Sequence, residues 1–472
     1  MSFVSVEFIL LLSITLTIYY LPPCRKWQPL ILITASFVFY GYGKHYRPLL
    51  LGFCVLINFL AGYSCLASQN RRLRVSSALT GVACNLLTLA SFKYGRELAQ
   101  VLGSHNVSVG EVGSILGDLT LPIGLSFFTL QGISLVVDAL RNKINRRFQG
   151  EETKGLLAHG TATALFTVFF PTLLSGPIMK GHEFMPQISA KYFRDIDWVQ
   201  CVKGLILGYF LKMVIADNLK DQTFWMDYPY HLGFSSITLL TMLLGYSIQI
   251  FADFAGYSLI AIALARLLGY EVPVNFNFPY VSTTFSEFWR RWHIALSTWL
   301  RDYLYFPLGG NRKGSLRTYF NLFVVMILGG LWHGSTWNYV LWGVYHGTLL
   351  ILERPFRDRL DDLRRPCFNL LKWVVVFSLV SFGWLFFKLT DFRHALSFVN
   401  ALRTNTWIAN DMQKIQWILV YCMPVGLYHL FYLARERSRA LSIIAGDWLY
   451  ALMLFAIICC SGNTSTFIYF QF

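Results

Sequence analysis

The chain runs to 472 residues, 55% of them hydrophobic and 14% charged, which leaves a water-soluble globule too little polar surface to cover itself. Its net charge of +15 collects in short loops between apolar runs, where it reads as membrane topology rather than affinity for nucleic acid. The nine cysteines include no CxxC pair and do not cluster with histidine as a zinc site requires, so a disulfide framework and a metal centre are both unsupported.

Apolar segments near or above the ~20 residues that cross a hydrocarbon core recur along the whole chain. They cover 8–20, 30–40, 49–67, 77–91, 119–140, 156–174, 202–215, 235–268, 320–352, 370–387, 415–433 and 448–460. They predict an all-α polytopic membrane protein with roughly 11 to 13 embedded helices in a single domain over 1–472, segment 235–268 being long enough for a helix pair. No linker marks off a soluble domain, and no repeat suggests a transporter built from duplicated halves. The first segment lacks a basic leader and a small-residue cleavage site, so it reads as a retained helix. Basic loops tend to stay cytoplasmic. Arg25 and Lys26, then Arg71, Arg72 and Arg74, then Arg141 to Arg147 therefore lie inside, with the N-terminus outside. Lys44 and Arg47 fit this alternation least well.

Most of the polar information lies between Tyr246 and Gly347. Gln249, Asp253, Tyr257, Ser258 and Arg266 fall among apolar neighbours, and Asp253 and Tyr257 share a helix face at i,i+4. Gln249, Asp253 and, further on, Asn275 are channel-lining candidates, the alternative for Asp253 being a pair with an arginine that holds helices together. In PVNFNFPY, Pro273 and Pro279 interrupt helix while Asn275 and Asn277 offer turn hydrogen bonds. Trp289, Trp292, Trp299 and Tyr303 then recur near helical spacing beside Arg290, Arg291 and Arg301, which predicts an aromatic, cationic helix at the interface or re-entering the membrane. It is either a plain anchor or, with Arg312 and Lys313, a cationic mouth for a phosphate-bearing cytosolic donor such as a coenzyme A thioester.

His333 lies in the run 321–350, which holds no Asp, Glu, Lys or Arg. Ionisable groups at such depth are costly and count as functional candidates. A neutral imidazole with an ordinary pKa of about 6.5 can accept a proton near neutral pH. The alternative is a histidine bonded to a helix carbonyl. His346, thirteen positions on, reads as structural. The nucleophile elbow, the P-loop and the dinucleotide fingerprint are all missing.

Six ordered stretches resemble the membrane-bound O-acyltransferase family: LPIGLSFFTLQ from Leu121, FPTLLSGPIMK from Phe170, YSIQIFADFAGYS from Tyr246, NFNFPY from Asn275, FWRRWHIALSTWLRDYLYFPLGGNRKG from Phe288 and GGLWHGSTWNYVLWGVYHG from Gly329. The likeness is greatest to the bacterial branch that O-acetylates secreted polysaccharides, with the D-alanyl transfer proteins of teichoic acid synthesis as cousins. Ala255 stands where that branch would have serine. The resemblance implies helices around a central channel, with a cytosolic donor mouth and an exterior acceptor funnel. It maps the family histidine onto His333 and the WxxWH histidine onto His293, and implies that His333 is a general base while His293 orients the donor carbonyl or narrows the passage.

The function expected from the resemblance is transfer of acetyl from acetyl-coenzyme A, with no bound cofactor. The acetyl would cross the bacterial inner membrane to a polysaccharide through a periplasmic SGNH-like acetyltransferase partner. Two alternatives stand beside it: a D-alanyl transferase fed by a carrier protein, and a transporter or channel lined by His293 and His333. The terminal FIYFQF is either an aromatic anchor or, by resemblance to the peptide that accompanies D-alanyl transfer proteins, a carrier in which Tyr469 takes the acyl group.

Overall fold

The computed structural model describes residues 1–44, 46–104, 121–144, 154–356, 366–437, 446–463 and 467. Among these no strand forms, and seven helices are long and apolar enough to cross a membrane; an eighth span results if Val6–Tyr20 and Pro22–Gly41 are taken as one broken crossing. Three shorter apolar helices accompany them. The protein is thus an all-α, multi-pass membrane protein. It divides into two compact units, residues 1–202 with 260–273, and residues 203–259 with 274–472.

In the first unit, α1 (Val6–Tyr20) is capped by Ser5 and stops at Pro22 and Pro23, after which α2 (Gln28–Gly41) follows. Helix and successor bend by 104° at that break, as two consecutive prolines dictate. Four helices, α3 (Arg47–Ala67), α4 (Arg71–Ser104), α5 (Leu125–Leu140) and α6 (Lys154–Val168), pack against one another. Polar side chains join them: Asn85 Nδ2 donates to Asn58 Oδ1 at 2.9 Å. A Cβ at Gly132 would sit 2.3 Å from the Asn58 amide, which is why α5 carries glycine there. Tyr19 and Tyr20 donate to the carbonyls of Leu268 and Leu267, tying residues 260–273 into this unit.

The second unit begins in α7 (Trp198–Tyr209), which widens into a π-helix over Phe210–Ala216 before α8 (Asp217–Thr223). Then comes α9 (Ser236–Leu267), whose residues up to 259 belong to this unit and the rest to the first; it is one unbroken helix of 32 residues where the sequence predicts room for a pair. No proline interrupts it, and 94% of its most apolar window is buried in protein. Its length of about 48 Å at 1.5 Å per residue is therefore set by packing rather than by bilayer thickness. Two short helices, α10 (Phe285–Arg291) and α11 (Ile294–Leu300), flank His293.

The apolar run 320–352 is likewise two helices, α12 (Gly314–His333) and α13 (Trp337–Glu353), folded into a hairpin. Glycine makes the hairpin possible. A Cβ at Gly330 would lie 2.1 Å from the Tyr339 carbonyl oxygen, and one at Gly343 would lie 2.5 Å from that of Met326. His333 is the last residue of α12 and His346, thirteen positions on, belongs to α13, so the two histidines sit on different arms of the hairpin. The unit closes with α14 (Pro366–Gly383), α15 (Phe392–Thr404), α16 (Met412–Arg437) and α17 (Asp447–Cys460).

Candidate active site

His293 owes its place to a loop. The Asn277 N–H donates to the Arg291 carbonyl at 2.9 Å and the Ile294 N–H to the Asn275 carbonyl at 2.9 Å, so residues 275–277 run as a brace along 291–294. His293 itself takes a left-handed backbone, φ +44°, which ends α10 and starts α11 in a new direction. For a non-glycine residue that conformation is costly and points to a position held for a reason.

Asn275 fixes the imidazole. Its Oδ1 receives the Ala295 N–H at 3.3 Å and lies 2.9 Å from His293 Nδ1, while its Nδ2 donates to Ser258 Oγ on α9 at 3.0 Å. A backbone N–H can only donate, so the amide must present oxygen on that side, and His293 must carry its proton on Nδ1. The remaining nitrogen, Nε2, is then an acceptor in the neutral ring. Burial holds the pKa of His293 well below the ordinary histidine value and keeps the ring neutral.

His333 lies at the end of α12, 6% exposed, among aromatic rings. Trp332 is 4.9 Å from it, Phe387 4.9 Å and Trp342 5.2 Å between centroids. Trp332 also touches His293 at 6.0 Å, so the two histidines expected to act together flank one indole. Trp342 continues the cluster to His346 at 4.9 Å, and Trp289 packs edge-on against both.

Other expected residues fall elsewhere. Gln249 accepts from Thr223. Asp253 pairs with Lys212 at 2.7 Å, not with an arginine, and Lys212 also reaches Asp217 at 2.8 Å. Lys212 and Asp217 were not singled out by sequence, although a lysine inside the apolar run 202–215 is itself the signal of a buried ionic partner. The aromatic face read along 289–303 is not an interfacial stripe: the kink at His293 breaks its periodicity, and Trp292 and Trp299 are buried, the former against Trp384 at 4.8 Å.

The cationic set is only partly free. Arg291 pairs with Glu287 at 2.9 Å and Arg301 with Asp302 at 2.8 Å, which neutralises two of the five charges. Arg290, Arg312 and Lys313 are exposed. Tyr469 lies outside the described residues. Phe467 does not, and it is no surface anchor: it is 2% exposed and stacks on Tyr257 at 4.6 Å, beside Phe254, whose ring is 4.6 Å from His293.

The sequence that builds this site is similar to sequences of known proteins. The model of the membrane-bound O-acyltransferase family matches residues 159–390. A protein named probable alginate O-acetylase AlgI from Azotobacter vinelandii is 35% identical over 418 residues, 87% of this chain and 80% of that one. The chain belongs to the membrane-bound O-acyltransferase family. A peptidoglycan O-acetyltransferase of Helicobacter pylori is 32% identical over 394 residues, 79% of this chain and 73% of the relative. A teichoic acid D-alanyltransferase of Bacillus subtilis is 28% identical over 290 residues, 58% of this chain and 70% of the relative. The protein is accordingly an O-acyltransferase, and Gln249, Asp253, Asn275, His293, His333 and His346 all fall inside the family match.

Proposed function

We propose that this O-acyltransferase takes acetyl from a cytosolic thioester, acetyl-coenzyme A, and delivers it across the bacterial inner membrane toward an extracytoplasmic polysaccharide. A periplasmic SGNH-like acetyltransferase would complete the transfer. The observation that carries the reading is the placement of His333: a single ionisable ring at a helix end, walled by Trp332, Trp342 and Phe387, in a chain whose relatives are named for acetyl transfer to alginate and peptidoglycan.

His333 acts as general base. The accepting hydroxyl gives its proton to the imidazole as its oxygen forms a bond to the thioester carbonyl carbon. The carbon–sulfur bond then breaks and the thiolate recovers the proton. Such assistance is worth ~10²–10⁴-fold. His293 has a different part. With its proton committed to Asn275, Nε2 accepts rather than donates, so it does not hydrogen-bond a thioester carbonyl; of the two roles expected of it, narrowing the passage is the one its tautomer allows. Exposed Arg290, Arg312 and Lys313 meet the donor's phosphates.

The D-alanyl alternative is less favoured, since the relative carrying that name matches less of the chain at lower identity. Purified protein incubated with radiolabelled acetyl-coenzyme A and a polysaccharide or serine-hydroxyl acceptor tests the reading. Wild type transfers label and His333→Ala loses ~10²–10⁴-fold while still folded and inserted. Near-normal turnover in an inserted His333→Ala protein refutes the role.

A further inference from the structure

Beside His333 lies a second group that the acid–base chemistry leaves unused. Trp342 is 2% exposed, and its indole nitrogen has no hydrogen-bond partner among the described residues. The same holds for the buried indole nitrogen of Trp289 and for both ring nitrogens of His346, which is fully buried. These three side chains touch one another, Trp342 to Trp289 at 5.4 Å, Trp342 to His346 at 4.9 Å and Trp289 to His346 at 5.2 Å. Four polar nitrogens thus meet in one apolar cluster without satisfying each other.

The chemistry of the set says what would complete it. An indole N–H donates and cannot accept. The other rings against Trp342, Phe387 and Trp384, offer no oxygen. A buried donor left unpaired loses its hydration with nothing in return, so two neighbouring indoles kept in this state call for an acceptor. The acceptor that comes to this place in an acyl transfer is the carbonyl oxygen of the acyl group, and Trp342 is the member of the cluster in ring contact with His333, at 5.2 Å and 81°. The position is rigid as well. Gly343, the next residue, packs so closely on α12 that a Cβ would fall 2.5 Å from the Met326 carbonyl oxygen, which fixes the height of Trp342 along the hairpin.

We propose that Trp342 is a catalytic residue whose indole N–H, seconded by that of Trp289, binds the carbonyl oxygen of the acyl donor and the negative charge that grows on it. The inference rests on the thioester-donor reading above. As the acceptor oxygen bonds to the carbonyl carbon and its proton passes to His333, the carbonyl π pair moves onto oxygen and is met by the indole N–H. The pair returns to re-form the carbonyl as the carbon–sulfur bond breaks, and the leaving sulfur takes the proton from His333. Donors set in advance where charge develops, in a water-poor site, act most strongly in the transition state.

The test replaces the N–H and keeps the ring. Trp342→Phe, and a protein carrying β-(3-benzothienyl)alanine at 342, which retains the bicyclic shape, are compared with wild type in acetyl-coenzyme A turnover. The expected result is a fall in kcat of about 10²–10³, with donor KM raised only by the smaller factor that the ketone analogue below reports. Two unreactive donor analogues give an independent reading, a ketone that keeps the carbonyl and a thioether that lacks it: wild type prefers the ketone, and the benzothienyl protein loses the preference while binding the thioether as before. Wild-type kcat in the benzothienyl protein, or equal weakening of both analogues, overturns the assignment of Trp342. Absence of turnover and of donor binding in wild type overturns the donor reading, and this inference with it.

Discussion

Asn275→Ala removes one side chain and leaves two donors stranded, the Ala295 N–H and His293 Nδ1–H, both of which now end on Asn275 Oδ1 at 3.3 and 2.9 Å. Asn275 is 1% exposed and His293 1% exposed, so water does not replace the lost oxygen cheaply. At roughly 1–3 kcal/mol for each buried donor left unpaired, the loss is about 2–6 kcal/mol. The brace 275–277 retains its backbone pairing with 291 and 294, so the variant still inserts. Thermal unfolding in detergent reads the stability, and it falls by several degrees. Asn275→Asp separates hydrogen bonding from simple packing, because the carboxylate keeps an acceptor toward both donors. It also places a negative charge beside His293, favouring the imidazolium and turning Nε2 from acceptor to donor. The aspartate variant therefore recovers more thermal stability than the alanine variant at pH 6 than at pH 8. An Asn275→Ala protein with unchanged unfolding temperature and unchanged turnover would refute the tautomer assignment.

Burial of His293 gives a pH signature. Its folded pKa is lowered, so the unfolded chain binds the extra proton first, and stability is lost as pH falls below the unfolded value near 6.5, by up to about 1.4 kcal/mol per pH unit. His293→Gln removes this contribution, and its unfolding temperature between pH 7 and 5 drops less than that of wild type; identical slopes would count against a neutral, buried ring. At the C-terminus, Tyr469→Phe keeps the aromatic ring and deletes the phenol. If Tyr469 carries the acyl group, glycan acetylation is lost with normal insertion, and wild type yields an acetylated C-terminal peptide; full acetylation by the variant eliminates the carrier role.

The helical class and the family were legible because each leaves a local mark, long apolar runs and ordered motifs, and the two histidines stood out as candidates because the bilayer tolerates few ionisable residues. What the sequence hid depends on contacts between distant segments. Nothing in WRRWHIAL announces that His293 will adopt a left-handed backbone, since that conformation is imposed by residues 275–277 pairing with 291 and 294. The broken periodicity follows from the same kink, which is why a stripe of tryptophans predicted an interfacial helix and Trp292 ended in the core. The hairpin in 320–352 was closer to view. Gly330, Gly334 and Gly343 are all in the quoted motif, but their meaning, contact with Tyr339 and Met326, needs the partner helix. Asp253 shows the limit of charge reading, where an aspartate among apolar residues implied a cation without saying which.

That cation bears on how His293 is held. Lys212 sits between Asp217 and Asp253, each of the three 4% exposed or less, and it springs from the π-helix Phe210–Ala216, a widened turn of the kind that often marks a functional position. Two carboxylates around one ammonium, out of water, are poor stabilisers compared with well-packed apolar side chains, yet removing a single partner leaves an uncompensated charge and costs about 3–5 kcal/mol. The triad therefore fixes position more than it adds stability. Asp253 lies on α9, and so does Ser258, the residue that receives the Asn275 amide. The end of α7 and the π-helix are too close to α9 for any side chain at Gly256, where a Cβ would stand 2.8 Å from the Gly208 carbonyl oxygen and 2.9 Å from the Lys212 backbone nitrogen. Ion triad and glycine together set the height of α9 against its neighbour, and α9 sets Ser258. Ser258 holds Asn275, and Asn275 holds the tautomer of His293. Charge that takes no part in proton transfer thus reaches the site through the backbone of α9 and two side-chain hydrogen bonds, Asn275 to Ser258 and His293 to Asn275.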